Sequence, residues 1–380
     1  MSSEMDYHSS KFPECIAQGL QKLEEIIKLP STSQLHKLQQ QIIEERILNY
    51  QYQDPSSGVK SISPIEELVI VRCIAQYLAN IFDPATRNSL FITLFPAVSN
   101  EPQTLPQLRT LMSLVSLAVA THNVAVLDAT AVWMQQVSCF SVRCCKLSFN
   151  LNQDFFQSNV ETPEHFMKAL KSLPTATPLF CANLITSLAQ VYAKVGTNEF
   201  CKEPEPHLVK IIIYWLKANP FIILTPLTTS LPGISLPMTA VLAISPLSKW
   251  CIEAPFFSQN KSLSENEVET KDLYSELHFL LLETLQNVSA IRSQMTQREV
   301  ICAEHIKNIA DVLVQRFNSC KKFSPATNAR ETSLNRLAQI VLVALHTNCL
   351  SGRLSEMWNS LKKLPGSPRL MKMLFNYNMC

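Results

Sequence analysis

Residues 207–218 read HLVKIIIYWLKA. Apolar side chains point in nearly every direction around a helix of this length. Its two charges, Lys210 and Lys217, stand seven residues apart and so share one narrow stripe. Such a helix is stable only when neighbours cover most of it. Residues 272–286, DLYSELHFLLLETLQ, are two-faced instead. Leu273, Leu277, Leu280 and Leu281 line one side, and Glu276 and Glu283 the other. Inner helices and amphipathic outer helices joined by short loops predict stacked antiparallel helix pairs, an all-α, HEAT-like α-solenoid. No fixed repeat period is visible, so the solenoid is irregular.

Proline placement sets the helix starts. Ten of the 22 prolines follow Ser, Thr, Asp or Asn. That pairing joins a capping side chain to a first helical residue with no N–H to satisfy. In Ser63-Pro64-Ile65-Glu66-Glu67 two carboxylates also fall in the positive first turn. The spacing predicts helices over 13–29, 34–51, 64–81, 84–95, 105–121, 124–136, 139–150, 163–173, 178–195, 206–218, 220–230, 237–253, 272–290, 292–317, 331–350 and 354–364. A short helical piece follows Pro368, and no strand is expected. Polar breaks divide the chain into N-terminal helices (1–62), a central helical repeat (63–254), a flexible linker (255–271) and a C-terminal helical repeat (272–380).

Composition removes several classes of function. The chain has 380 residues, of which 47% are hydrophobic and 6 are glycine. Nucleotide-binding α/β enzymes spend glycine where backbone approaches phosphate, and about 7% is ordinary. No glycine-rich phosphate loop, nucleophile elbow or H-E-x-x-H is present. The eight histidines, His8, His36, His122, His165, His207, His278, His305 and His346, stand apart from one another. Glu24–Glu25 and Glu44–Glu45 read as solvated faces, and Gly352 as a helix C-cap. No catalytic residue and no cofactor site is therefore expected.

The 12 cysteines are scattered. Cys139, Cys144 and Cys145 cluster, and Cys302 precedes His305, but no second pair sits at zinc spacing, so no metal is expected. Met1 to Ser10 has no apolar core of a signal peptide, which implies a reducing compartment and buried free thiols. Between Lys217 and Lys249 lie 31 uncharged residues, longer than the ~20 a membrane helix needs. Pro220, Pro226, Pro232, Pro237 and Pro246 interrupt them, and lipid cannot satisfy the backbone groups they free, so short buried helices are expected there.

Charge points towards binding. Charged residues make up 17% of the chain, against about 25% in ordinary domains. An extended helical stack needs more solvated surface than a globule, so the shortfall predicts a face meant for a partner. Phe221, Trp250, Phe256 and Phe257, set in uncharged proline-rich text, are the candidate partner-binding aromatics. The net charge is only +2, but from Lys321 onward nine Lys/Arg face two Glu. Lys362, Lys363 and Arg369 are accordingly candidates for an acidic partner or RNA. Three readings follow: a scaffold, another α-solenoid adaptor for transport or trafficking, and a helical-repeat RNA-binding protein using the basic C-terminal end.

Four blocks carry a resemblance. They are RTLMSLVSLAVATHNVAVLDATAVWMQQ (109–136), NPFIILTPLTTSLPGISLPMTAVLAISPLSKWCIEAPF (219–256), DLYSELHFLLLETLQ (272–286) and LNRLAQIVLVALHTNCL (334–350). In order and spacing they resemble the Integrator complex subunit 15 family. The resemblance implies a non-catalytic helical scaffold of a nuclear assembly acting on RNA polymerase II transcripts. Small nuclear RNA 3′-end processing and transcription termination are the processes concerned. The implied role is to join the module of subunits 10, 13 and 14 to the body containing subunits 5 and 8. The implied partners are other Integrator subunits, with no small-molecule substrate, no membrane and no direct RNA contact. Members of that family continue into a Pro/His-rich tail that has no counterpart before Cys380. No basic nuclear-localisation run is visible, which implies import with partners.

Overall fold

The computed structural model describes residues 3–30, 32–48, 64–96, 104–155, 164–194, 203–229, 242–260, 266–295, 300–319, 327–364 and 368–377. Over these residues the chain is all-α and of the helical-repeat kind, with eighteen α-helices, a few 3-10 and π segments and one two-stranded ladder. It divides into two compact units. Met1–Asp154, Thr162–Phe180 and Ser230–Met238 form the first; Phe155–Glu161, Cys181–Thr229 and Thr239–Cys380 form the second.

The first unit holds α1 (Ser3–Ile27), α2 (Ser33–Ile42), α3 (Pro64–Asn80), α4 (Pro84–Leu94), α5 (Thr104–Thr121), α6 (Val124–Val137), most of α7 (Val142–Phe155) and α8 (Glu164–Ala176). Helix α1 packs on α3 and α4, α3 on α5 and α6, and α5 on α6 and α8. The Asp-Pro signal works as read: the Asp83 carboxylate accepts from the Ala85 and Thr86 N–H groups at 3.4 and 2.9 Å, and Pro84 opens α4. Helix α6 is the inner one, its Val126, Leu127 and Ala129–Gln135 all buried. The Trp133 indole N–H donates to the Phe95 carbonyl at 2.7 Å.

Two expected boundaries are corrected here. Helix α1 starts at Ser3, not at Pro13, so Pro13 lies inside the helix, as Pro174 does in α8. The packing of Ile16, Leu20, Leu23 and Ile26, all buried, outweighs the backbone bond that Pro13 removes. The helix expected over 34–51 ends as α at Ile42 and continues as a π turn, Ile43–Ile47. That turn approaches α1 at Gly19, where a Cβ would stand 3.0 Å from Ile47 Cγ1.

The second unit contains α9 (Pro178–Lys194) from Cys181, α10 (Pro206–Ala218), α11 (Thr225–Thr228), α12 (Ile244–Glu253), α13 (Asn266–Gln286), α14 (Val288–Ile291), α15 (Ala303–Ser319), α16 (Thr327–His346), α17 (Leu354–Leu361) and α18 (Arg369–Tyr377). Helix α12 packs on α13, α15 and α16; α10 lies on α13, α17 on α15 and α18 on α16. Leu208, Val209, Ile211–Ile213, Trp215 and Leu216 of α10 are buried, as an all-round apolar helix requires. Its exposed stripe holds Lys210, Tyr214 and Lys217, and Lys217 pairs with Glu276 of α13. At Pro220 the chain bends by 85° into Ile222–Thr228; among the described residues no single helix is long and apolar enough to cross a membrane.

Within the segment expected as a linker, Ala254–Asn260 forms a 3-10 helix and α13 begins at Asn266. The helix expected over 292–317 is interrupted, and the expectation of no strand is corrected. Strand β1 (Ile301–Cys302) pairs in parallel with β2 (Leu350–Ser351), joining the start of α15 to the end of α16. Gly352 directly follows strand β2 and does not cap a helix C-terminus. Its φ is +93°, and a Cβ there would meet Cys302 Sγ at 3.3 Å. The left-handed residue after α16 is Asn348, at φ 51°, beside the Cys349 N–H to Ala344 carbonyl bond of 2.9 Å. Residues 230–241, with Pro232, Gly233 and Pro237, lie outside the described residues.

Candidate partner-binding surface

The sequence K-W-C-I-E-A-P-F, 249–256, builds the centre of the second unit. Trp250 is 0% exposed. Its indole N–H donates to the Ala189 carbonyl at 3.2 Å, and its ring meets Tyr192 edge-on, with centroids 5.7 Å apart. Phe256, 4% exposed, packs against Phe317, and the Arg316 guanidinium lies 4.9 Å from its centroid. The expected partner-facing role of these two side chains is therefore corrected: both are core residues. An aromatic in uncharged text satisfies a core as well as an interface, and here the core has it. Phe257 is half-buried with its ring against Tyr274 at 5.7 Å. Phe221 is half-buried at the bend after α10, and its N–H donates to Asn219 Oδ1.

Charge is buried beside these rings. Glu253 is 0% exposed and sits 3.7 Å from Arg316 and 3.9 Å from Lys249. Arg336, nearly buried, donates to the Cys251 carbonyl and to Ser275 Oγ at 2.8 Å. Opposite charges and carbonyls offset the desolvation these ions suffer. Burial pushes the Cys251 thiol up to about 12 and lowers the Arg336 guanidinium. Burial also lowers His278 to about 4; its bond to Gln339 Oε1 at 2.8 Å opposes this and Arg336 adds to it. A thiol held protonated is a poor nucleophile, and an imidazole lowered to about 4 is a weak base at neutral pH.

The remaining candidates lie elsewhere in the same unit. Lys362 and Lys363 are exposed just past α17, and Arg369 is exposed at the start of α18. The cysteine cluster of the first unit is structural in geometry. Cys139 and Cys144 are buried and both point to the Met134 carbonyl at 3.8 Å, and burial raises both thiols. His305 Nδ1 lies 3.0 Å from Ser245 Oγ, away from any ligand set; among the described residues no group of three His, Cys, Asp or Glu converges to hold a metal ion. Glu24 is not simply solvated: the Tyr77 hydroxyl donates to it at 2.7 Å and Lys28 at 2.8 Å. The lysine bond, then the tyrosine bond, hold its carboxyl below the usual carboxylate range.

Exposed apolar side chains supply surface the sequence reading missed. In the first unit Phe82 is 98% exposed, Ile65 75% and Val142 70%. Phe82 stands in the three-residue connection between α3 and α4, held by the Asp83 cap and by an Arg87 bond to the Ile81 carbonyl. Beside it a cavity of about 420 Å³ is lined by Glu24, Lys28, Tyr77 and Thr86. In the second unit Phe279 and Met373 are the most exposed of the large apolar residues described. The spacing Glu276, Phe279, Glu283 already placed Phe279 on the charged side of α13. Phe82 carried a weaker signal, an aromatic caught between a helix end and an Asp-Pro cap.

The family model for Integrator complex subunit 15 matches residues 4–366. Among curated proteins, the Integrator complex subunit 15 of Drosophila melanogaster is 26% identical over 97% of this chain and 94% of that protein. Its counterpart from Danio rerio is 27% identical over 83% of this chain and 67% of that protein. The Homo sapiens counterpart is 26% identical over 82% and 72%. The four sequence blocks, the all-α fold and a match running from α1 through α17 agree, and the chain belongs to the Integrator complex subunit 15 family.

Proposed function

We propose that this chain is a non-catalytic scaffold subunit of the nuclear Integrator assembly, bridging the module of subunits 10, 13 and 14 to the body containing subunits 5 and 8. It acts through protein contacts, in small nuclear RNA 3′-end processing and in termination of RNA polymerase II transcription. It works without a substrate, cofactor, metal or membrane of its own. The family match over residues 4–366 is the observation that supports this reading.

The side-chain chemistry agrees with it. Arg336 and His278 are bonded to carbonyl, hydroxyl and amide partners of the same unit, and burial raises the Cys251 thiol and lowers the His278 imidazole. Phe82, on a connection fixed at both ends, is an apolar anchor already held in position, the kind of residue that carries protein association.

Reconstitution tests the bridge. The purified chain, mixed with the subunit 10, 13 and 14 module and with the subunit 5 and 8 body, is expected to yield one larger species by size-exclusion chromatography. The two assemblies without the chain are expected to elute separately. If they elute separately in its presence too, the bridging role is wrong.

A further inference from the structure

The described basic residues from Arg330 onward sort into two groups. Arg336 is buried in the core, Arg330 lies over the Phe317 ring at 5.6 Å, and Arg353 pairs with Glu356 at 3.0 Å. Lys362, Lys363, Arg369 and Lys372 are exposed, and no ion pair holds any of them among the described residues. No Asp or Glu follows Glu356 in the sequence. On α15, which packs on α17, Asp311 feels the charge of Lys363 but already holds Lys307 at 3.0 Å and bonds Ser360. Six residues of chain lead from Lys363 to Arg369, so their Cα atoms lie within about 22 Å of each other. Two cation pairs, Lys362–Lys363 just past α17 and Arg369–Lys372 three residues apart on α18, thus fall within the reach of one extended segment and carry little counter-charge of their own.

The apolar surroundings narrow the ligand. Met371 and Leu374 of α18 are 1% and 0% exposed, so the apolar face of this basic helix is spent on the protein and is closed to a bilayer. Trp358 is 7% exposed, so the largest nearby ring offers no platform for stacking a base, which single-strand RNA readers use. Beside the cations stand an exposed Met373 and a half-buried Leu370, flexible aliphatic surface.

We propose that the α17–α18 end of the second unit is a docking surface for an acidic protein segment bearing aliphatic residues. Its carboxylates meet Lys362, Lys363, Arg369 and Lys372, and an aliphatic side chain lies against Met373. This inference stands apart from the bridging role, because it rests on the charges of this chain alone.

Fluorescence anisotropy of the full chain with a labelled peptide of alternating Glu and Leu tests it. Binding is expected to weaken at least about tenfold between roughly 0.1 and 0.5 M salt. A similar loss is expected in both Lys362→Gln/Lys363→Gln and Arg369→Gln/Lys372→Gln, with unchanged thermal unfolding. Equal binding of a Gln-Leu peptide, or undiminished binding by both variants, overturns the proposal. Tighter binding of oligouridylate or of phosphatidylserine vesicles than of the acidic peptide also overturns it, in favour of RNA or of a membrane. The reconstitution above reads a different quantity, so failure of one leaves the other standing.

Discussion

Replacing Trp250 by alanine removes a fully buried indole, its edge-on contact with Tyr192 and its bond to the Ala189 carbonyl. Truncating a buried Trp costs about 3–5 kcal/mol, and the lost hydrogen bond contributes about 1 kcal/mol of that. Trp250→Ala is therefore expected to destabilise the second unit by about 4 kcal/mol, roughly a thousandfold in its folding equilibrium. Trp250→Phe keeps one ring in the site and should cost about half as much. Urea unfolding followed by far-UV circular dichroism measures both, and separate transitions for the two units would isolate the affected one. Phe82→Ser is the control: at 98% exposure it should change stability by no more than about 0.5 kcal/mol. If Trp250→Ala unfolds within about 0.5 kcal/mol of the parent chain, Trp250 is not a core residue and the packing described for α12 is wrong.

Three further outcomes are expected. His278 is held near 4 in the fold against 6.5 when free, so the unfolded ring takes up a proton first. Its contribution is complete above pH 6.5 and is lost as pH falls towards 4; about 2 kcal/mol should be gone near pH 5, and urea titrations of His278→Gln should lack that slope. Gly352→Ala forces a Cβ into a left-handed residue beside Cys302 Sγ and should cost about 1–2 kcal/mol in the same assay; a neutral result would mean that the β1–β2 ladder is not held as described. Asp83→Ala removes the α4 cap and should cost about 1 kcal/mol while speeding proteolysis after Phe82; unchanged cleavage would argue that the cap does not fix this connection.

Helix starts and inner helices were legible because their causes are local. Helix α3 begins at Pro64 and the Asp83-Pro84 cap opens α4, where the sequence placed both starts, and the apolar circumference of 207–218 required burial. What escaped is set by partners distant in sequence. Pro13 and Pro174 are carried inside helices by the packing of their neighbours. The two-residue pairing of Ile301 with Leu350 depends on residues some fifty positions apart, which no alternation pattern announces. The candidate surface was the least legible part. Trp250 and Phe256 have the composition of an interface core, yet Ala189, Tyr192 and Phe317 already occupy their surfaces. Phe82 looks like a core residue by type, and only the geometry of one connection turns it outward; Phe279 had a signal in the sequence, because it shares its face of α13 with Glu276 and Glu283.

Affinity purification of the tagged full chain from nuclei, with quantitative mass spectrometry of what accompanies it, addresses the scaffold reading most directly. Integrator subunits, those numbered 10, 13 and 14 and those numbered 5 and 8 among them, should be recovered in amounts comparable to the chain itself. Recovery of the chain alone, or with coat proteins or import receptors in their place, would contradict it.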